Sequence, residues 1–141
     1  MNAYYTIPTF FMLIITLANC GRKESIKNDQ QMEKAVTELS PEEFKSRLSS
    51  TPDAVLIDVR KPEEVAEGMI QGAINIDYLN FGFTENIDSL DHAKPYFLYC
   101  KTGKRSSGAA DKMSQLGFQE IFVLEGGINN WKDKGLEMVQ Q

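Results

Sequence analysis

The sequence predicts an α/β domain with a central, mostly parallel sheet covered by helices on both faces. Short apolar runs recur along the chain: DAVLIDV at 53–59, AINI at 73–76, PYFLY at 95–99 and EIFVL at 120–124. Helical patterns separate them. Runs that stay apolar, rather than alternating with polar residues, belong to strands buried on both faces, and strand–helix alternation favours parallel pairing. A length of 141 residues suits one domain of ordinary size.

The first twenty residues carry no charged side chain, and Phe10 to Ala18 is nearly all apolar. That is the length of a signal-peptide core and short for a membrane span. The run resembles a bacterial lipoprotein signal, with Leu17-Ala18-Asn19-Cys20 as its processing box. The resemblance implies cleavage before Cys20, lipidation of Cys20, and a domain tethered on the extracytoplasmic side of the bacterial cell envelope. The expected layout is a signal peptide at 1–19, lipidated Cys20 with a flexible tether at 20–37, and a folded domain at 38–138.

The first helix is expected at Ser40-Pro41-Glu42-Glu43, where a cap residue, a proline at the first helical position and a glutamate three residues past the cap coincide. Phe44 and Leu48 then share a face. Pro52 turns the chain into the 53–59 strand. Pro62 to Ala66 allows one or two helical turns, Gly68 to Gly72 a turn, and Thr84 to Leu90 a helix. After PYFLY, the spacing of Ala109, Met113 and Leu116 predicts a helix over 105–116, stopped by Gly117. Gly126-Gly127 turns the chain from EIFVL into a short last helix, 128–134, carrying Trp131.

The formal net charge is −5, which argues against nucleic acid or anionic lipid as a partner of the whole surface. Any membrane association is expected only through the lipid anchor or the N-terminal segment. A local exception is YCKTGKRSSGAA at 99–110, where Cys100 follows a strand and Lys101, Lys104 and Arg105 lie beside it. Ligands in such folds bind outside the carboxyl ends of the strands. A tight turn there would aim its amides and the first N–H groups of the next helix inward, at an anion. Gly103 would permit the dihedral that such a turn requires. These features are expected to lower the pKa of Cys100 and favour its reactive thiolate. That chemistry suits either sulfur transfer or attack on a phosphate ester. Neither needs a cofactor or a metal, and none is expected. His92, the only histidine, reads as a surface residue.

Four segments in order resemble the rhodanese-like domain family over about Leu39 to Leu136. They are Leu56-Ile57-Asp58-Val59-Arg60, the stretch from Glu67 to Ile76, the loop from Cys100 to Ser106, and Leu124-Glu125-Gly126-Gly127-Ile128 with Trp131. The resemblance implies a sulfurtransferase that moves sulfane sulfur from a thiosulfate-like anion to cyanide, a thiol or a protein. Cys100 would carry the persulfide with Arg105 as its catalytic companion, and Lys101, Thr102, Gly103, Lys104 and Ser106 would bind the donor. Asp58 and Arg60 would be structural supports. Six residues from Cys100 to Arg105 match the sulfur-transfer members, whereas the phosphatase-like relatives have one more. Met69 and Gln71 stand where the family commonly has histidine and proline, which removes one polar support. The alternative is a non-enzymatic envelope protein using the same fold as a sulfur carrier or partner-binding module.

Overall fold

The computed structural model describes residues 35–140. Five parallel strands form one sheet in the order β1-β5-β4-β2-β3. They are β1 (Val36–Leu39), β2 (Val55–Asp58), β3 (Ile74–Asn75), β4 (Pro95–Tyr99) and β5 (Glu120–Leu124). Five helices connect or follow them: α1 (Pro41–Ser50), α2 (Pro62–Ala66), α3 (Phe83–Asp88), α4 (Lys104–Gln115) and α5 (Gly127–Asp133). Among the described residues, no helix is long and apolar enough to cross a membrane. Cys20 and the expected signal segment lie outside the described residues.

Side chains along the central strands alternate between two cores, as the period of two in a strand requires. Tyr96 and Leu98 of β4, and Ile121 and Val123 of β5, face Phe83 and Ile87 of α3 and Ala109 and Met113 of α4. Phe97, Tyr99, Phe122 and Leu124 point the other way, toward Phe44 of α1 and Ile128 and Trp131 of α5. Both faces are therefore covered, which is why these strands are apolar at consecutive positions, Tyr96 to Tyr99 and Ile121 to Leu124. Phe44 meets Phe97 edge-on at 5.2 Å between ring centroids, and Trp131 at 6.4 Å.

The capping signal at Ser40 is realised in full. The Glu43 amide donates to Ser40 Oγ, and the Ser40 amide donates back to Glu43 Oε2. Two boundaries differ from the sequence expectation. The folded unit begins earlier, because Val36–Leu39 pairs in register with Ile121–Leu124. Val36-Thr37-Glu38-Leu39 is a four-residue edge strand with two exposed polar centres, so its apolar signal is weak, and its pairing depends on a strand more than eighty positions away. Helix α4 starts at Lys104, not Arg105, because Gly103 takes the residue before the helix at φ 98°.

The segment carrying Met69 is held through its backbone. Met69 N–H donates to the Val139 carbonyl and Val139 N–H to the Met69 carbonyl, both at 2.8 Å, and the Met69 side chain is buried. An apolar side chain with main-chain pairing thus occupies the place where a polar support was expected to be missing.

Candidate active site

Cys100 follows the last residue of β4, at the carboxyl edge of the sheet, and only 1% of it is exposed. The chain then turns through Lys101, Thr102 and Gly103 into α4. Gly103 N–H points back at Cys100 Sγ over 3.1 Å, which its left-handed φ makes possible. Ser106 Oγ stands 3.6 Å from the same sulfur and 2.9 Å from the Gly103 carbonyl, and Ser107 Oγ donates to that carbonyl at 3.0 Å.

Burial pushes the Cys100 thiol upward, but donors facing the sulfur outweigh it. The amide and hydroxyl of Ser106 and the amides of Thr102 and Gly103 hold the thiol below its ordinary value. The thiolate is therefore favoured by fixed hydrogen-bond donors. Lys101 and Lys104 are exposed on the outer side of the turn and contribute a general positive field there.

Amides can point inward only if the carbonyls of the turn find partners elsewhere. Helix α5 provides them: Ile128 N–H donates to the Cys100 carbonyl at 2.8 Å and Asn129 N–H to the Lys101 carbonyl at 3.2 Å. This approach is so close that a Cβ on Gly127 would lie 2.5 Å from the Cys100 carbonyl oxygen. From sequence alone Gly127 is only part of a turn. Its role in bracing the loop had no local signal.

Asp58 and Arg60 form a sealed corner beside the loop. Arg60 Nε donates to Asp58 Oδ1 at 2.9 Å and Nη2 to Oδ2 at 2.6 Å, with side chains 4% and 0% exposed. The remaining guanidinium donors reach the carbonyls of Glu64 at 3.1 Å and Gly68 at 2.8 Å. Asn75 Nδ2 ties the backbone of both residues together, at 2.9 Å to the Asp58 carbonyl and 2.8 Å to that of Arg60. Tyr99, the neighbour of Cys100, lies under the Arg60 guanidinium at 5.7 Å and accepts the Ile70 amide at its hydroxyl. The corner thus fixes the end of β4 from which Cys100 projects.

Arg105 lies on the first turn of α4, at the helix end that adjoins the Cys100 turn. Its guanidinium is engaged with Glu64 of α2: Nη1 reaches Oε2 at 2.7 Å and Nη2 reaches Oε1 at 2.8 Å. Arg105 holds the Glu64 carboxyl down at about 2. Nothing local in the sequence marks Glu64, because its partner is 41 positions away. His92 is far from this chemistry, stacked on Phe118 with ring centroids 4.1 Å apart and its Nε2 3.1 Å from the Asp88 carbonyl oxygen.

The rhodanese-like domain matches residues 40–134 of this chain. A sulfurtransferase of Allochromatium vinosum is 32% identical over 104 residues, covering 74% of this chain and 95% of that protein. A tRNA uridine(34) hydroxylase of Cytophaga hutchinsonii is 34% identical over 107 residues, but the match covers only 34% of its length. A solved structure of a rhodanese-related protein from Thermoplasma volcanium aligns with a TM-score of 0.65 at 30% identity, covering 74% of this chain and 98% of that one. With the Cys100 turn, the Asp58–Arg60 corner and the Gly126-Gly127 brace all in place, the chain belongs to the rhodanese-like domain family.

Proposed function

We propose that this protein is a sulfurtransferase that carries sulfane sulfur as a persulfide on Cys100. The observation that carries this reading is a thiol with a lowered pKa at the floor of a turn whose amides face it. The Cys100 thiolate attacks the outer sulfur of a thiosulfate-like donor. A new S–S bond forms, the donor's own S–S bond breaks, and sulfite leaves with the electron pair. The outer persulfide sulfur then passes to cyanide, a thiol or a protein thiolate, and Cys100 departs as the thiolate. No electrons are gained or lost overall, so no cofactor is required.

The amides of Thr102 and Gly103, with Ser106, stabilise negative charge first on the thiolate and then on the persulfide. Lys101 and Lys104 draw the anionic donor to the turn, and Arg105, paired with Glu64, forms its far border. The six-residue span from Cys100 to Arg105 favours a sulfur atom over a phosphoryl group. A thiol this deeply buried also admits a slender donor terminus more readily than a bulky ester.

Intact-mass measurement of the full chain after incubation with thiosulfate tests the assignment. A gain of one sulfur atom, lost in Cys100→Ser and kept in Cys20→Ala, is expected. An unchanged mass with thiosulfate and with other sulfane donors rules it out.

The cellular setting we infer from the N-terminal sequence is the bacterial cell envelope, with a signal peptide at 1–19, lipid on Cys20, a tether leading to β1, and the catalytic domain, which the pairing of β1 extends back to Val36, on the extracytoplasmic side. Incorporation of labelled fatty acid, abolished in Cys20→Ala, is the expected result. Equal labelling of that variant refutes the anchor.

A further inference from the structure

We propose that Glu64 is a specificity-determining residue of this site, because its carboxylate occupies the bidentate edge of Arg105 and keeps bystander oxyanions such as phosphate from binding beside Cys100. The inference rests on the sulfur-transfer reading of Cys100.

A guanidinium offering two parallel N–H groups is a strong receptor for phosphate and sulfate. Arg105 stands beside the nucleophile, in the first turn of a helix, where such an anion would block the mouth of the site. Here both terminal nitrogens are already paired with one carboxylate, at 2.7 and 2.8 Å. The carboxylate is itself anchored. Glu64 Oε2 accepts the Lys61 amide at 3.3 Å as part of the cap of α2, and the Glu64 carbonyl accepts Arg60 Nη1 at 3.1 Å.

An anion from solution must therefore displace a group that is tethered to the same molecule and present at a high effective concentration. It must also come to rest beside the Glu64 carboxylate it displaces, a group of like charge. The amides around Cys100 take no part in this arrangement and keep facing the sulfur that a donor would extend. Glu64 thus separates two kinds of anion by where they can bind. A sulfane donor is received at the turn, and a simple tetrahedral oxyanion is refused at Arg105.

The test measures thiosulfate-to-cyanide transfer by the full chain while inorganic phosphate is titrated. Glu64→Gln keeps an acceptor for the Lys61 amide and removes the charge. It is expected to lower the phosphate inhibition constant about tenfold, the effect of about one charge-assisted pair. Glu64→Gln combined with Arg105→Gln is expected to return to the wild-type value. An inhibition constant in Glu64→Gln equal to the wild type's overturns the proposal, as does a gain in sensitivity that survives loss of Arg105.

If Glu64→Gln does not fold, Glu64→Asp serves instead. It withdraws the same carboxylate by one methylene, and a wild-type inhibition constant in that variant likewise overturns the proposal. If the wild type forms no thiocyanate, the sulfur-transfer reading fails by itself. Phosphate-induced thermal stabilisation then decides the Glu64 question separately: a shift larger than wild type in Glu64→Gln supports the plug, and equal shifts refute it.

Discussion

Two carboxylate–guanidinium forks flank Cys100, and they differ in burial. The Asp58–Arg60 pair is sealed, with side chains 4% or less exposed, whereas the Glu64–Arg105 pair is open, at 24% and 20%. Every nitrogen of the Arg60 guanidinium donates to a main-chain or carboxylate oxygen, so its charge is spent on holding the end of β2, α2 and the turn after it together. Arg105 makes one fork at the rim. The same chemistry therefore builds a fixed corner on one side of the loop and an adjustable gatepost on the other. Glu64 joins them, giving its carbonyl to Arg60 and its carboxylate to Arg105.

Breaking each fork in turn should expose that difference most plainly. Arg60→Met leaves the Asp58 carboxylate buried without its partner, and a loss of about 3–5 kcal/mol is expected in urea unfolding. Glu64→Gln removes a partly solvated pair and should cost about 0–1 kcal/mol. Equal losses from the two changes would show that exposure is not what separates them.

Acid titration sharpens the comparison with a smaller effect. Glu64 has its carboxyl held at about 2 in the folded protein, chiefly by the Arg105 hydrogen bonds, against an ordinary value of 4.5. A carboxyl lowered on folding stabilises the protein above its unfolded pKa and loses that contribution as pH falls through the folded one. The advantage of the wild type over Glu64→Gln should therefore be full above about pH 4.5 and fade toward pH 2. Urea midpoints of both proteins across that window check this, and a gap that widens with acid would contradict it.

Features that announce themselves locally were legible in the sequence. The Ser40 capping box, the apolar strands and the Cys100–Ser106 turn each lie within a few residues, and each depends on dihedral preferences or neighbour spacing. The fold class followed from them. Features made by long-range approach were not legible. Edge strand β1 is too short and too polar to stand out until Ile121–Leu124 lies beside it. Glu64 looks like one more acidic residue in a helix start until α4 presents Arg105. Of the groups expected to favour the thiolate, the amides of the turn and Ser106 face the sulfur, whereas Lys101 and Lys104 are exposed. Charge can be read from a sequence more easily than direction.

The contact between α5 and the loop also bears on how the protein is made. The carbonyls of Cys100 and Lys101 find their partners in Ile128 and Asn129, which are synthesised later. A chain growing from its N-terminus therefore has Cys100 in place while its turn is still unbraced. The carbonyls that must face away from the thiol have no partner until the last helix emerges. Assembly of the turn thus waits for α5, and a chain cut between Cys100 and Ile128 keeps the thiol but lacks the brace behind it.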